Sequence, residues 1–255
     1  MSMAPAACEW ASTAETPLLD YTHPSIAALI STRNWRALTE KERIGAVYDF
    51  VRNEIPFGYN RADDIAASEV LRDGHGQCNT KGTLLMALLR GLSIPCRLHG
   101  FTIRKSLQRG VVPELIYPIA PDDILHSWVE VVYGGEWIEL EGFILDDAYL
   151  GRLQDAFGGT NSLCAYGAGT DNLQNPGVVW CGRSTYIQRT GINNDFGVFA
   201  SPDDFYAVHR QNFPAWKTFL YRHAIRHWMN SRVQSLRRGR TIASALRTDA
   251  VQTQS

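Results

Sequence analysis

The sequence has no C-x-x-C pair, no apolar run of membrane-spanning length and no excess of either charge. Its five cysteines, Cys8, Cys78, Cys96, Cys164 and Cys181, are odd in number and scattered. That arrangement argues against a structural zinc site and gives no disulfide framework, so no metal and no cofactor is expected. Met1 to Cys8 lacks a basic region followed by an apolar core, and the default expectation is a cytoplasmic protein. A formal net charge of −1 with 45% hydrophobic residues describes an ordinary globular chain without a global preference for polyanions. Gly-x-Gly occurs at 74–76 and 167–169, but neither has the context of a dinucleotide or phosphate loop. At 255 residues the chain can form one core with an extension, or two small units sharing a core.

What is present begins with Gly74-His75-Gly76-Gln77-Cys78. The glycines permit a tight turn, and Thr83-Leu84-Leu85-Met86-Ala87-Leu88-Leu89 reads as a helix apolar around its circumference, stopped at Gly91. A thiol at the mouth of such a helix meets the positive end of the macrodipole and free backbone N–H groups. Both favour a thiolate and could cradle an oxyanion. Read alone, a free cysteine of this kind is more often a small buried hydrophobe than a nucleophile.

A second pattern adds a base. His126-Ser127-Trp128-Val129-Glu130-Val131-Val132-Tyr133 alternates like a strand, and Gly134-Gly135 signals a two-residue hairpin into Glu136-Trp137-Ile138-Glu139-Leu140-Glu141. Pairing Tyr133 with Glu136 sets Val132 against Trp137, Glu130 against Glu139 and Trp128 against Glu141. Val129, Val131, Ile138 and Leu140 then share an aliphatic face. His126 and Glu141 share the other, with a carboxylate diagonal to the imidazole. A thiol, a histidine and a carboxylate are the components of nucleophilic catalysis, in which the acid fixes the imidazole tautomer.

Gly76-x-Cys78, the run Leu88-Leu89-Arg90-Gly91-Leu92-Ser93-Ile94-Pro95-Cys96-Arg97, Gly100, His126-Ser127-Trp128-Val129-Glu130-Val131 and Trp137-x-x-x-Glu141 together resemble the core of the transglutaminase-like superfamily, over about residues 40 to 146. The resemblance implies a bacterial-type, stand-alone member with an α+β, papain-like fold, in which the cysteine helix packs on an antiparallel sheet. It also implies that Cys78 is the nucleophile, His126 the base and Glu141 the orienting acid. The family usually has aspartate where this chain has Glu141, one methylene longer, and Asp146 stands as the reserve acid. Tyr59, Gln77, His75 and Trp128 are candidates for an oxyanion donor or the pocket wall. His99 lacks the H-x-W-x-E context and reads as structural. The absence of C-x-x-C counts against the zinc-bearing peptide N-glycanase branch.

Four segments follow: an N-terminal segment (1–38), a catalytic core (39–157), an irregular glycine-rich insertion or pocket-shaping segment (158–200) and a basic helical extension (201–255). Thr39-Glu40-Lys41-Glu42 is a capping box opening a helix through Ile44, Val47, Phe50 and Val51 that Pro56 closes, and 57–75 reads as an approach loop. Val178-Val179-Trp180 and Thr185-Tyr186-Ile187 are short β-like pieces, and Ser201-Pro202-Asp203-Asp204 opens a helix. Phe205 to Ser255 holds nine Lys or Arg and one acid, 9 − 1 = +8. Trp216, Phe219, Leu220, Ala224, Ile225, Trp228 and Met229 form a stripe expected to pack this helix on the body. A docking role for its charge toward an acidic carrier protein or a membrane surface is the sharper reading, with nucleic acid last.

The expected activity is acyl transfer through a Cys78 thioester. Hydrolysis of a peptide or amide bond is favoured over amide formation from an amide or thioester donor, with a non-catalytic binding module as the third possibility.

Overall fold

The computed structural model describes residues 12–211 and 213–239; Cys8 and the basic tail from Arg240 onward lie outside the described residues. The chain is α+β. Helices α1 (Pro24–Thr32), α2 (Glu40–Asp49) and α3 (Ala67–Asp73) precede α4 (Cys78–Gly91), and all fourteen residues of α4 are buried. The capping box of α2 forms as expected, with Thr39 N–H donating to Glu42 at 3.1 Å. The helix then continues as a π-helical stretch, Phe50–Glu54. The 57–75 segment is not wholly loop: α3 occupies its second half, ended by Gly74 in a left-handed conformation.

Strands β1 (Cys96–Arg104), β2 (Asp123–Tyr133) and β3 (Glu136–Leu140) form an antiparallel sheet. The β2–β3 register pairs Tyr133 with Glu136, Val132 with Trp137 and Glu130 with Glu139, as the alternation predicts. Gly134 and Gly135 both have positive φ, which the tight hairpin requires and side chains disfavour. Val129, Val131, Ile138 and Leu140 are buried, and α4 packs on β2. The predicted Trp128–Glu141 pair does not form, because the ladder stops at Val129–Leu140 and Glu141 N–H turns to Thr185 O at 3.0 Å.

After α5 (Asp147–Ala156), the glycine-rich stretch is more ordered than its composition suggests. It holds the hairpin β4 (Leu163–Ala165) and β5 (Ala168–Thr170), then β6 (Ile192–Phe199), which pairs with β1 and gives the order β3-β2-β1-β6. The 178–180 piece is not a strand, and Thr185 makes only an isolated bridge to Leu140. Asn193, Asn194 and Asp195 give β6 a polar, exposed sequence, suited to a sheet edge and hard to read as a strand.

Helix α6 (Pro202–Val208) starts on a Ser201 cap, as expected. The extension then forms α7 (Ala215–Leu220), a π-helical stretch Tyr221–Ile225 and α8 (Arg226–Arg237). Its packing differs from the predicted stripe. Met229, Val233 and Leu236 are buried, whereas Trp216, Phe219 and Trp228 are exposed. The periodicity identified a helix, but only docking decided which of its apolar residues faced inward. No helix among the described residues is long and apolar enough to cross a membrane.

Candidate active site

Cys78 is the first residue of α4, behind an extended Gln77. A Cβ on Gly76 would meet the Thr80 hydroxyl and Lys81 Cγ at 2.8 Å each, so the first turn of α4 occupies the space a side chain would need. Gln77 N–H donates to Thr80 Oγ1 at 3.1 Å, which closes the turn. Lys81, fully buried one turn on, donates to Arg52 O at 3.1 Å and Ile144 O at 2.9 Å, tying the helix to the chain just after Glu141. Cys78 is 7% exposed, and a cavity of about 370 Å³ opens beside it.

His126 and Glu141 are both fully buried. His126 Nε2 lies 2.9 Å from Glu141 Oε1, so the imidazole donates there. The other carboxylate oxygen accepts the N–H groups of Ile187 and Gln188, each at 2.9 Å. Three donors therefore fix the glutamate, and its extra methylene is accommodated because the chain turns out of the β-ladder at this residue. His126 Nδ1 is buried without a hydrogen-bond partner among the described residues. Burial disfavours charge on this imidazole, but Cys78 and then Glu141 favour it more strongly, and its pKa is raised to about 10. Cys78, His126 and Glu141 are thus brought together, with Nε2 bonded to the carboxylate.

Asn79, the residue after Cys78, donates to Leu125 O at 3.0 Å and accepts from Ser127 Oγ at 2.9 Å, so one amide holds the residues on either side of His126. The sequence reading missed Asn79, and no local signal marks it. It also missed Ile187 and Gln188, which come from the segment left open as insertion or pocket cover. Two further cavity residues were missed. The Tyr206 hydroxyl is buried and has no partner among the described residues. Asp63 accepts from the Gln77 amide, and burial pushes its carboxyl up to about 6 against hydrogen bonds from Asn79 and Gln77.

The remaining predicted residues divide. Tyr59 lines the cavity with Cys78, and its backbone N–H and C=O are held by Asn230 at 2.7 and 3.0 Å. Gln77 lines it too, with its amide shared between Asp63 and Thr80. His75 is outside the cavity lining, its ring turned to the carbonyls of Asp73 (2.8 Å) and Tyr59 (3.3 Å), so it braces the loop. Trp128 is also outside the lining, packed on Phe101 at 4.1 Å between ring centroids. Strand alternation places it on the His126 face, but its neighbours there are aromatic. Asp146 caps α5 through Tyr149 N–H at 3.0 Å and accepts Phe57 N–H and Arg237, so the reserve acid is engaged away from His126. His99 bridges Glu130 (2.7 Å) and Asp195 (2.8 Å), a structural position. No group of three or more His, Cys, Asp or Glu among the described residues could hold a metal ion.

Residues 31–142 match the model of the transglutaminase-like superfamily, a span that includes Cys78, His126 and Glu141 and is less than half of the chain. A solved structure described as a "Putative Cysteine Protease from Cytophaga hutchinsonii" aligns with a TM-score of 0.45 at 13% identity, over 80% of this chain and 50% of that one. The chain therefore spans about half the length of that protein. No curated protein matches it.

Proposed function

We propose that this chain, with a transglutaminase-like core over residues 31–142, is a cysteine enzyme that passes an acyl group through a Cys78 thioester to water, cleaving an amide or peptide bond. The observation that carries the reading is the buried His126, bonded at 2.9 Å to Glu141 through Nε2, interacting with Cys78, and with Nδ1 unpartnered among the described residues. Glu141 holds the ring through Nε2, so that Nδ1 is the nitrogen that exchanges a proton with the thiol. Sulfur attacks the carbonyl carbon, a C–S bond forms, and the imidazolium gives its proton to the departing amine as the C–N bond breaks. Water then attacks the thioester with His126 as base, and the thiol returns. The N–H groups at the start of α4 suit the transient oxyanion.

A second reading is transfer to an amine, which makes an amide. Asp63 in the same cavity favours it, since a carboxylate there could receive the ammonium of an incoming amine and take up its proton. An acidic carrier as the donor's vehicle would meet the exposed Arg222 and Arg238. Arg232 and Arg237 contribute less, because they are bonded to Gly110 O at 3.0 Å and to Asp146. Intact-protein mass spectrometry after incubation with amide and thioester donors tests both readings. An acyl adduct on Cys78 that decays to the free acid supports hydrolysis, and decay to an amide only when amine is added supports transfer. No adduct on Cys78 with any donor would overturn both.

A further inference from the structure

The cavity beside Cys78 has an uneven wall. Asp63, Gln77, Asn79 and Gln188 are polar lining residues close to Cys78, and Arg61, Gln108, Arg210 and Lys217 are among the further polar groups of the lining. Much of the rest is aliphatic or aromatic and comes from β1, from the turns between β1 and β2, from the start of β2 and from the C-terminal extension. Ile103, Leu107, Val112, Ile124, Ile225 and Met229 are representative. Ile119 and Trp216 also line it while remaining 53% and 60% exposed, which puts them at its mouth. At about 370 Å³ it falls in the range of small-molecule sites.

Along the apolar part of this wall a peptide would leave its own N–H and C=O groups without partners, whereas an alkyl or aryl chain has none to satisfy.

We infer that the acyl group transferred through Cys78 is an apolar, multi-carbon chain or aryl group that lies in this cavity, rather than a segment of polypeptide. The inference rests on the thioester reading above and names its substrate class.

The test uses 4-nitrophenyl acetate, butanoate, hexanoate and octanoate below their aggregation concentrations. Release of 4-nitrophenol is followed together with the mass of the intact protein. The rate of Cys78 acylation is expected to rise steeply with chain length, up to roughly fourfold per methylene and at least a hundredfold from acetyl to octanoyl, in line with the free energy of burying each CH₂. Val112→Trp, which fills the cavity, should lower the octanoyl-to-acetyl rate ratio at least tenfold. Because Val112 is buried and overpacking there strains the fold, Ile119→Asp at the exposed mouth is the companion, expected to lower the ratio at least fivefold with an unchanged melting temperature. Acylation of Cys78 at equal rates for all chain lengths would overturn the inference and leave the thioester reading standing. Absence of any Cys78 adduct would overturn that reading and the inference with it.

Discussion

Ser127 Oγ donates to Asn79 Oδ1 at 2.9 Å, so the residue following Cys78 is bonded to the residue following His126. With the Asn79 amide also on Leu125 O, this contact sets the spacing of Cys78 and His126 by their immediate neighbours. Asn79→Ala leaves a buried carbonyl and a hydroxyl unpaired and should cost about 1–3 kcal/mol in urea denaturation, with a fall in kcat. Ser127→Ala should have a smaller effect on both, and the double variant should fall short of the sum. Strict additivity would show that the contact does not couple the two elements.

Cys78→Ala should abolish turnover while keeping the wild-type melting temperature. With iodoacetamide at pH 6, Cys78 should be labelled faster than Cys96, whose thiol burial pushes up to about 11. It should also be labelled faster than the half-buried Cys164 and the exposed Cys181. His126→Ala should remove that advantage, and peptide mapping of the labelled sites reads the order directly.

Glu141→Gln provides a test of tautomer. The N–H groups of Ile187 and Gln188 both require an acceptor, so the amide oxygen must face them and its NH₂ must face His126 Nε2. The imidazole would then carry its proton on Nδ1, toward Cys78, and turnover should fall on the order of 10³–10⁴-fold, as for triads with an inverted tautomer. Asp146→Asn should act chiefly on stability, through α5 and Arg237. Kinetics and melting curves on the two variants separate these outcomes, and the reverse ranking would reassign the acid.

The pH dependence of stability follows from His126. Its pKa is raised from 6.5 to about 10 in the folded protein, so its charge stabilises the fold fully below pH 6.5, and the contribution is lost as pH rises through about 10. The urea midpoint of the wild type should exceed that of His126→Gln by more at pH 6 than at pH 10. A gap independent of pH would show that the charged imidazole is not stabilised by its neighbours.

Within the basic extension, position decides the role. Arg237 bonds Asp146 Oδ2 at 2.6 Å and Phe57 O at 3.1 Å, and Arg237→Gln should cost about 1–3 kcal/mol. Arg222→Gln with Arg238→Gln, both exposed, should leave stability within about 0.5 kcal/mol. If an acidic carrier delivers the donor, Arg238→Gln, which lies outside the cavity lining, should slow use of the carrier-bound donor at low salt but not of a small free one. Thermal melts and rates at two ionic strengths check both statements.

Features that depend on local spacing were legible in the amino-acid sequence alone. A capping box, a Gly-x-Cys turn, a run of apolar residues and a period-two hairpin fix their own conformations within a few residues, and together they located α2, α4, β2, β3 and the pairing of β2 with β3. They also brought Cys78, His126 and Glu141 forward as a set. Tertiary structure decided what depends on contacts distant in sequence. Ile187 and Gln188 hold Glu141 through backbone N–H groups, which every residue but proline possesses and no motif can mark. Asp146 and Glu141 differ little as local carboxylates; one was drawn to a helix cap and Arg237, the other into the space beside His126. Strand β6 was hidden because an edge strand can remain polar. The aromatic stripe of the extension misled because helical period fixes angles around an axis, while burial depends on what packs against it.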